Sequence, residues 1–460
     1  MIVIPTGRSE WRQMSRLPLV ARHDSVTKAP PAGGQPFRVV AARILHKIDL
    51  LVDKPWSEHQ FLHKTSGFVD RLNHRQHIKT SILFCRRKIL PLNDVQITSN
   101  MRKIFLLSLL ILASCSVKEV QNSLNIEGPF LILSTPYNED GSVNYENLVK
   151  EARFAADWNT SGVIWPQSND AIDLLTVEER IEGMRALVHE WKVNPKNTVL
   201  TLGVNGDDIE EMLILANEAE RLAEESGVDF ILASRPPYYG KTIDDIQEYF
   251  DALAGVAKRP VIIQTFVNGV CPTPPVEFLI NLAKTYPETY GWIKEESNNL
   301  ETNDRQKAEL EGKPHIKTVF SAWGGWQWLY QRRQIGTAGL ISEKIAYAPL
   351  TSLIWEQMKA GDKETCLTEA YAMYRLLCDQ RFLVHDSLRG YGLYYLMQQG
   401  VFDNMLSRSY VHKPDGPLGY RNRDNKSKWT LTEFKLTEMQ KAELDQCYAD
   451  MLKFVKRARF

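Results

Sequence analysis

From Gly128 onward, short apolar runs alternate with longer segments whose apolar residues recur every three or four positions. The apolar runs predict strands over 129–134, 161–165, 198–204, 229–234, 260–266, 290–294, 316–321 and 337–342. The segments between them predict amphipathic helices, of which Ile209–Glu224 is the clearest. Helix starts are also legible. Thr176 and Glu179 stand at capping-box spacing, and Thr242 to Asp245 supply polar residues suited to opening the next helix. Eight strands, each followed by a helix, predict an α/β chain folded as a (β/α)8 TIM barrel over 125–360. After Gly361 the pattern turns helical. Cys366 to Gln399 reads as two or more helices, Ser407 to Ser427 as a long loop, and Leu431 to Arg457 as another helix. Together, 361–460 reads as a C-terminal helical extension.

Residues 1–100 differ from this. They show no sustained period of two or 3.6, place Pro and Gly irregularly, and hold six of the ten histidines. Next comes Met101-Arg-Lys, an apolar run from Ile104 to Leu112, and small residues before Cys115. That is the layout of a secretory signal over 101–115. Its ending, Leu112-Ala-Ser-Cys115, resembles the bacterial lipoprotein lipobox, whose cysteine is lipidated and becomes the mature N-terminus. The expectation is therefore a protein lipid-anchored at Cys115 in the bacterial cell envelope, with Met101 as initiator and 1–100 as translated upstream sequence. The alternatives are a disordered extension, a core helix at 104–112 and a cytoplasmic location.

Bulk composition adds limits. With 460 residues and 43% hydrophobic content, the chain can bury a substantial core. The zero net charge conceals an asymmetry: residues 1–100 carry 16 Lys and Arg against 7 Asp and Glu, and the remainder 40 against 49. An acidic catalytic segment argues against a nucleic-acid partner. The six cysteines are scattered, with no C-x-x-C pair or His clustering to imply a metal.

The chemistry centres on Tyr290-Gly-Trp-Ile-Lys-Glu-Glu-Ser297, which sets Lys294 at the end of the sixth strand. A lysine there can form a Schiff base with a carbonyl substrate. Around it stand Ser134-Thr-Pro-Tyr137, Gly162-Val-Ile-Trp-Pro-Gln-Ser-Asn-Asp170, Thr198–Asn205, Asp229 to Thr242 with its Pro-Pro-Tyr-Tyr turn, Pro260–Ile263 and Gly336–Ser342. In order and spacing these resemble the dihydrodipicolinate synthase/N-acetylneuraminate lyase family of class I aldolases, from about Ile126 to the C-terminus. The resemblance implies that Lys294 attacks the keto carbon of pyruvate or a 2-keto acid, with no cofactor beyond that lysine. It implies that Tyr239 belongs to a proton relay, that Ile341 walls the keto-acid site, and that the chain is a homo-oligomer. The family's carboxylate-binding loop is replaced here by Gln167–Ala171, in which Ser168 and Asn169 keep hydrogen-bonding groups.

Two departures stand out. The family's relay tyrosine after the fifth strand is Gln264 here, and the arginine of the synthase branch is Gly269. An amide can orient a hydroxyl but cannot act as an acid or base near neutral pH. An efficient dihydrodipicolinate synthase is therefore not expected. Trp165, Trp323 and Trp326 are read as mouth residues that could stack on a sugar ring or line an apolar pocket. The leading expectation is a lyase acting on a sugar-derived keto acid through Lys294. The alternatives are a catalytically impaired ligand-binding barrel and a cytoplasmic synthase.

Overall fold

All eight apolar runs form strands, and parallel pairing closes them into a barrel in sequence order, with β8 returning to β1. The computed structural model describes residues 124–168, 172–238, 240–266, 271–298, 300–361, 364–379, 390–410 and 429–459. The strands are β1 (Gly128–Ile132), β2 (Gly162–Trp165), β3 (Val199–Gly203), β4 (Ile231–Ser234), β5 (Val261–Gln264), β6 (Trp292–Lys294), β7 (Thr318–Ser321) and β8 (Gly339–Ser342). Each lies within its sequence-predicted run or within one residue of it. Between them come α1 (Tyr145–Asp157), α2 (Val177–Val193), α3 (Ile209–Ser226), α4 (Ile243–Val256), α5 (Val276–Thr285), α6 (Thr302–Glu311) and the short α7 (Trp328–Tyr330). The polar residues before α2 and α4 act as expected. Thr176 and Glu179 close one capping box, and Thr242 and Asp245 a second.

Strand alternation divides the apolar residues into two clusters. Phe130, Ile132, Ile164, Val199, Ile231, Ala233, Ile262, Trp292, Phe320 and Ile341 fill the barrel interior. Their neighbours along each strand, such as Leu131, Val163, Leu232, Ile263 and Ile293, pack outward against the helices. Phe130 and Phe320 meet edge to face at 5.4 Å in the interior. Gly203 is required by close approach, since a Cβ there would meet the Pro166 carbonyl oxygen at 1.8 Å. Its bare backbone lets the segment after β2 pass close against the end of β3.

The C-terminal region corrects part of the sequence reading. After α8 (Ala348–Ala360) come α9 (Glu364–Asp379) and α10 (Gly390–Gln398), as the periodicity predicts. However, β9 (Leu406–Tyr410) and β10 (Trp429–Glu433) then form an antiparallel ribbon where a loop and the start of a helix were expected. The alternation Trp429-Thr-Leu-Thr-Glu433 suits a strand, and the Ser409 and Thr432 hydroxyls hydrogen-bond across the pair at 2.8 Å. A partner in the 406–410 segment, distant in sequence, decides this. The last helix, α11 (Glu438–Arg459), therefore begins later, with Thr437 and Gln440 hydrogen-bonding reciprocally at its start. Residues 1–100, the 101–115 segment with Cys115, and Asn169, Tyr239 and Gly269 lie outside the described residues.

Candidate active site

The period of two along β6 sets the site. Trp292 lies in the interior cluster and Ile293 in the outer one, so Lys294 faces inward, one layer above Trp292 at the C-terminal end of the strand. Catalytic groups of such barrels gather at this end. The Lys294 side chain is completely buried. Its Nζ lies 2.8 Å from Glu296 Oε2. That contact is not aligned as a hydrogen bond, and Nζ has no hydrogen-bond partner among the described residues.

Glu296 belongs to a polar chain that crosses the mouth. Gln264, the register partner of Lys294 on β5, donates its Nε2–H to Glu296 Oε2 at 2.6 Å. The Ser168 hydroxyl donates to Gln264 Oε1 at 3.1 Å, and the Ser168 backbone N–H to Gln167 Oε1 at 2.8 Å. The backbone around Lys294 is pinned by the next residue after β5. Thr265 N–H donates to Lys294 O at 3.1 Å, and Glu296 N–H donates to Thr265 Oγ1 at 2.7 Å. The structure thus brings together Lys294, Gln264 and Ser168. Ile341 lies in the same barrel interior, paired in register with Phe130.

Trp165 is a correction. It lies in the outer cluster, fully buried, with its Nε1–H donating to Thr135 Oγ1 at 3.0 Å and its ring against Gly183 of α2. As the last residue of β2, one position past the inward Ile164, it has the opposite facing. Trp326 stacks on the Arg375 guanidinium at 4.4 Å and, with Tyr330, Arg333 and Tyr371, lines a cleft of about 390 Å³ between the segment after β7 and α9.

Two acidic neighbours of Lys294 were given no role from the sequence. Glu296 could have been found, because residues i and i+2 of an extended chain share a face with the lysine. Glu295, with the opposite facing, points away from the barrel into a buried cluster. Its Oε2 lies 3.3 Å from Arg305 Nε of α6, and its Oε1 accepts from the Ser297 backbone N–H at 2.9 Å. Behind it, Glu309 is held well above the usual carboxylate range, first by burial, then by the charge of Glu295 and a hydrogen bond with it, against the pull of Arg305. The folded chain therefore keeps a proton on Glu309 that the unfolded chain releases near pH 4.5. That contribution to stability is full below pH 4.5 and is lost as pH rises towards the folded-state value. Glu309→Gln should accordingly gain on the wild type as pH increases from 4.5 to neutrality. Urea melts across that range test this, and a stability difference that is constant with pH would contradict it.

Arg235, just past β4, was also missed. It is buried and pairs with Asp173 Oδ1 at 3.2 Å, in the short turn after β2. Among the described residues, no three His, Cys, Asp or Glu side chains converge as a metal site.

Comparison with known proteins matches residues 125–385 to the dihydrodipicolinate synthetase family. A 4-hydroxy-tetrahydrodipicolinate synthase of Neisseria meningitidis serogroup C is 28% identical over 182 residues, which cover 39% of this chain and 58% of that protein. The matched stretch thus spans less than two thirds of that relative. Among solved structures, 4-hydroxy-tetrahydrodipicolinate synthase of Methylacidiphilum fumariolicum SolV has a TM-score of 0.54 at 17% identity, covering 72% of this chain and 99% of its own. N-acetylneuraminate lyase of Proteus mirabilis has a TM-score of 0.53 at 17% identity, covering 71% and 98%. At such identities these two structures speak for the shared barrel.

Proposed function

Because the chain belongs to the dihydrodipicolinate synthetase family, we propose that it is a class I lyase or aldolase that forms an imine between Lys294 and pyruvate or a sugar-derived 2-keto acid. The observation that carries this reading is an enclosed lysine at the end of β6, with its Nζ 2.8 Å from a buried carboxylate. A protonated imine withdraws electrons more strongly than a ketone, so the neighbouring carbon can be deprotonated, or its bond broken, without an external cofactor. In this reading Ile341 supplies an apolar wall, and Ser168 and Gln264 orient substrate oxygens. Asn169 and Tyr239 take the carboxylate-binding and relay roles implied by the sequence resemblance, and the working unit is a homo-oligomer. The test is incubation with pyruvate and a panel of sugar-derived keto acids, borohydride reduction and intact-mass measurement. Mass gain confined to Lys294 is expected. No gain across the panel, or labelling of another lysine, would sink the reading.

The location belongs to the same proposal. The basic, apolar and Leu-Ala-Ser-Cys115 sequence supports lipidation of Cys115 and attachment to the envelope. Mass spectrometry of the N-terminus from native cells should find an acylated Cys115. An unmodified N-terminus retaining residues upstream of Cys115 would refute the anchor.

A further inference from the structure

We propose that Glu296 is the catalytic acid–base of this site, moving protons between the Lys294 nitrogen and the carbons of a bound 2-keto acid. This assignment rests on the imine reading above. The geometry provides a proton-exchanging group at the reacting atom and nowhere else in the polar chain just described. Glu296 Oε2 is 2.8 Å from Lys294 Nζ, and its side chain is 6% exposed. Gln264 donates to the same oxygen and Thr265 holds the Glu296 backbone, so the carboxylate is positioned from both ends. Gln264 and Ser168, the other members of the chain, carry an amide and a hydroxyl, neither of which serves as a base near neutral pH. A 2-keto acid joined to Nζ through C2 would bring C3, the carbon next to the imine, towards Glu296.

Each step at the nitrogen and its neighbouring carbon balances with Glu296 as the immediate proton partner, and Tyr239 relays beyond it. Glu296 first accepts a proton from the Lys294 ammonium, freeing the nitrogen lone pair to bond to the keto carbon. As that bond forms the C=O pair moves to oxygen, which takes the proton back from Glu296, and Glu296 then removes a second proton from the nitrogen and passes it to the hydroxyl of the carbinolamine. The C–O bond breaks, water leaves, and a protonated imine remains beside a restored carboxylate. Next, Glu296 removes a proton from the adjacent carbon. The C–H electron pair becomes the C=C bond of an enamine, and the C=N pair returns to nitrogen. In the cleavage of a 4-hydroxy-2-keto acid, Glu296 takes the hydroxyl proton instead. The O–H pair forms the aldehyde C=O, the C3–C4 pair becomes the enamine, and protonated Glu296 delivers its proton to C3.

The experiment uses the full chain with pyruvate in D2O. It measures methyl deuteration by NMR against pH and, in parallel, borohydride trapping. Wild type should trap pyruvate and exchange its methyl protons. Glu296→Gln should still trap at Lys294 on long incubation, yet exchange about 10²- to 10⁴-fold more slowly, with the carboxylate limb of the pH profile gone. Glu296→Asp should keep that limb at a reduced rate, and it decides the question should the glutamine variant not fold. If wild type traps nothing, the imine reading fails and this assignment with it. If wild type traps but either variant exchanges at the wild-type rate with the wild-type profile, Glu296 alone is excluded.

Discussion

Lys294→Ala is expected to leave a folded barrel that traps no keto acid and shows no turnover above the uncatalysed reaction. The side chain is wholly enclosed and faces the interior above Trp292, so no other described lysine substitutes for it on β6. Stability should also fall, for a separate reason. Removing the ammonium leaves the buried Glu296 carboxylate with the Gln264 amide as its side-chain donor among the described residues. Stranding one member of a buried pair typically costs about 3–5 kcal/mol. The double variant Lys294→Ala with Glu296→Gln should therefore recover part of the lost stability while remaining unable to trap. Urea melts of the two single variants and the double variant form the cycle. Additive losses would mean that the pair is not coupled, and residual trapping in Lys294→Ala would mean that the imine forms elsewhere.

A second large effect is expected far from the lysine. Arg408 on β9 is buried, and its guanidinium lies 4.9 Å from the Tyr137 ring and 4.3 Å from that of Trp429. It donates to the carbonyls of Gly141 at 3.0 and 2.8 Å and of Leu174 at 2.8 Å, and to both oxygens of Glu179. Those acceptors belong to the segments after β1 and β2 and to the first turn of α2. Glu179 also accepts from Thr176 N–H in the capping box. One side chain from the C-terminal ribbon thus ties the turn after β1 to the turn after β2 and to the start of α2. Arg408→Ala would leave two carbonyls and a carboxylate without their cation. The expected cost is about 3 kcal/mol, the lower part of the range for breaking buried pairs, because Glu179 remains partly solvated. Arg408→Lys should restore little, since an ammonium cannot span the same acceptors as a planar fork. Thermal and urea melts measure this, and a loss below about 1 kcal/mol would show that the ribbon is not fastened through Arg408.

Several features of the chain were readable without any coordinates. Strand length, apolar runs, helical periodicity and the spacing of polar residues are local properties, and they indicated the eight strands, the capping box at Thr176, a helix start at Thr242 to Asp245, and the position of Lys294 at a strand end. The period of two also contained Glu296, two residues past the lysine. The facing of Trp165 was equally implicit, and the correction there came from applying alternation to β2, where Ile164 rather than Trp165 enters the barrel. In both cases the information was local but depended on knowing which face of the strand was inside.

Tertiary structure alone decided what depends on partners distant in sequence. The strand at 429–433 exists because 406–410 pairs with it, and neither segment signals the other locally. The polar chain from Ser168 through Gln264 to Glu296 joins residues 96 and 32 positions apart, which become neighbours only when the barrel closes. The same closure buries Glu309 against Glu295 and Arg305, setting its protonation through an environment that no linear pattern encodes. Sequence by itself therefore determined which segments become strands and where Lys294 falls, because hydrophobic periodicity is a property of each segment. The fold decided which group stands 2.8 Å from that lysine, because proximity and desolvation arise only from packing.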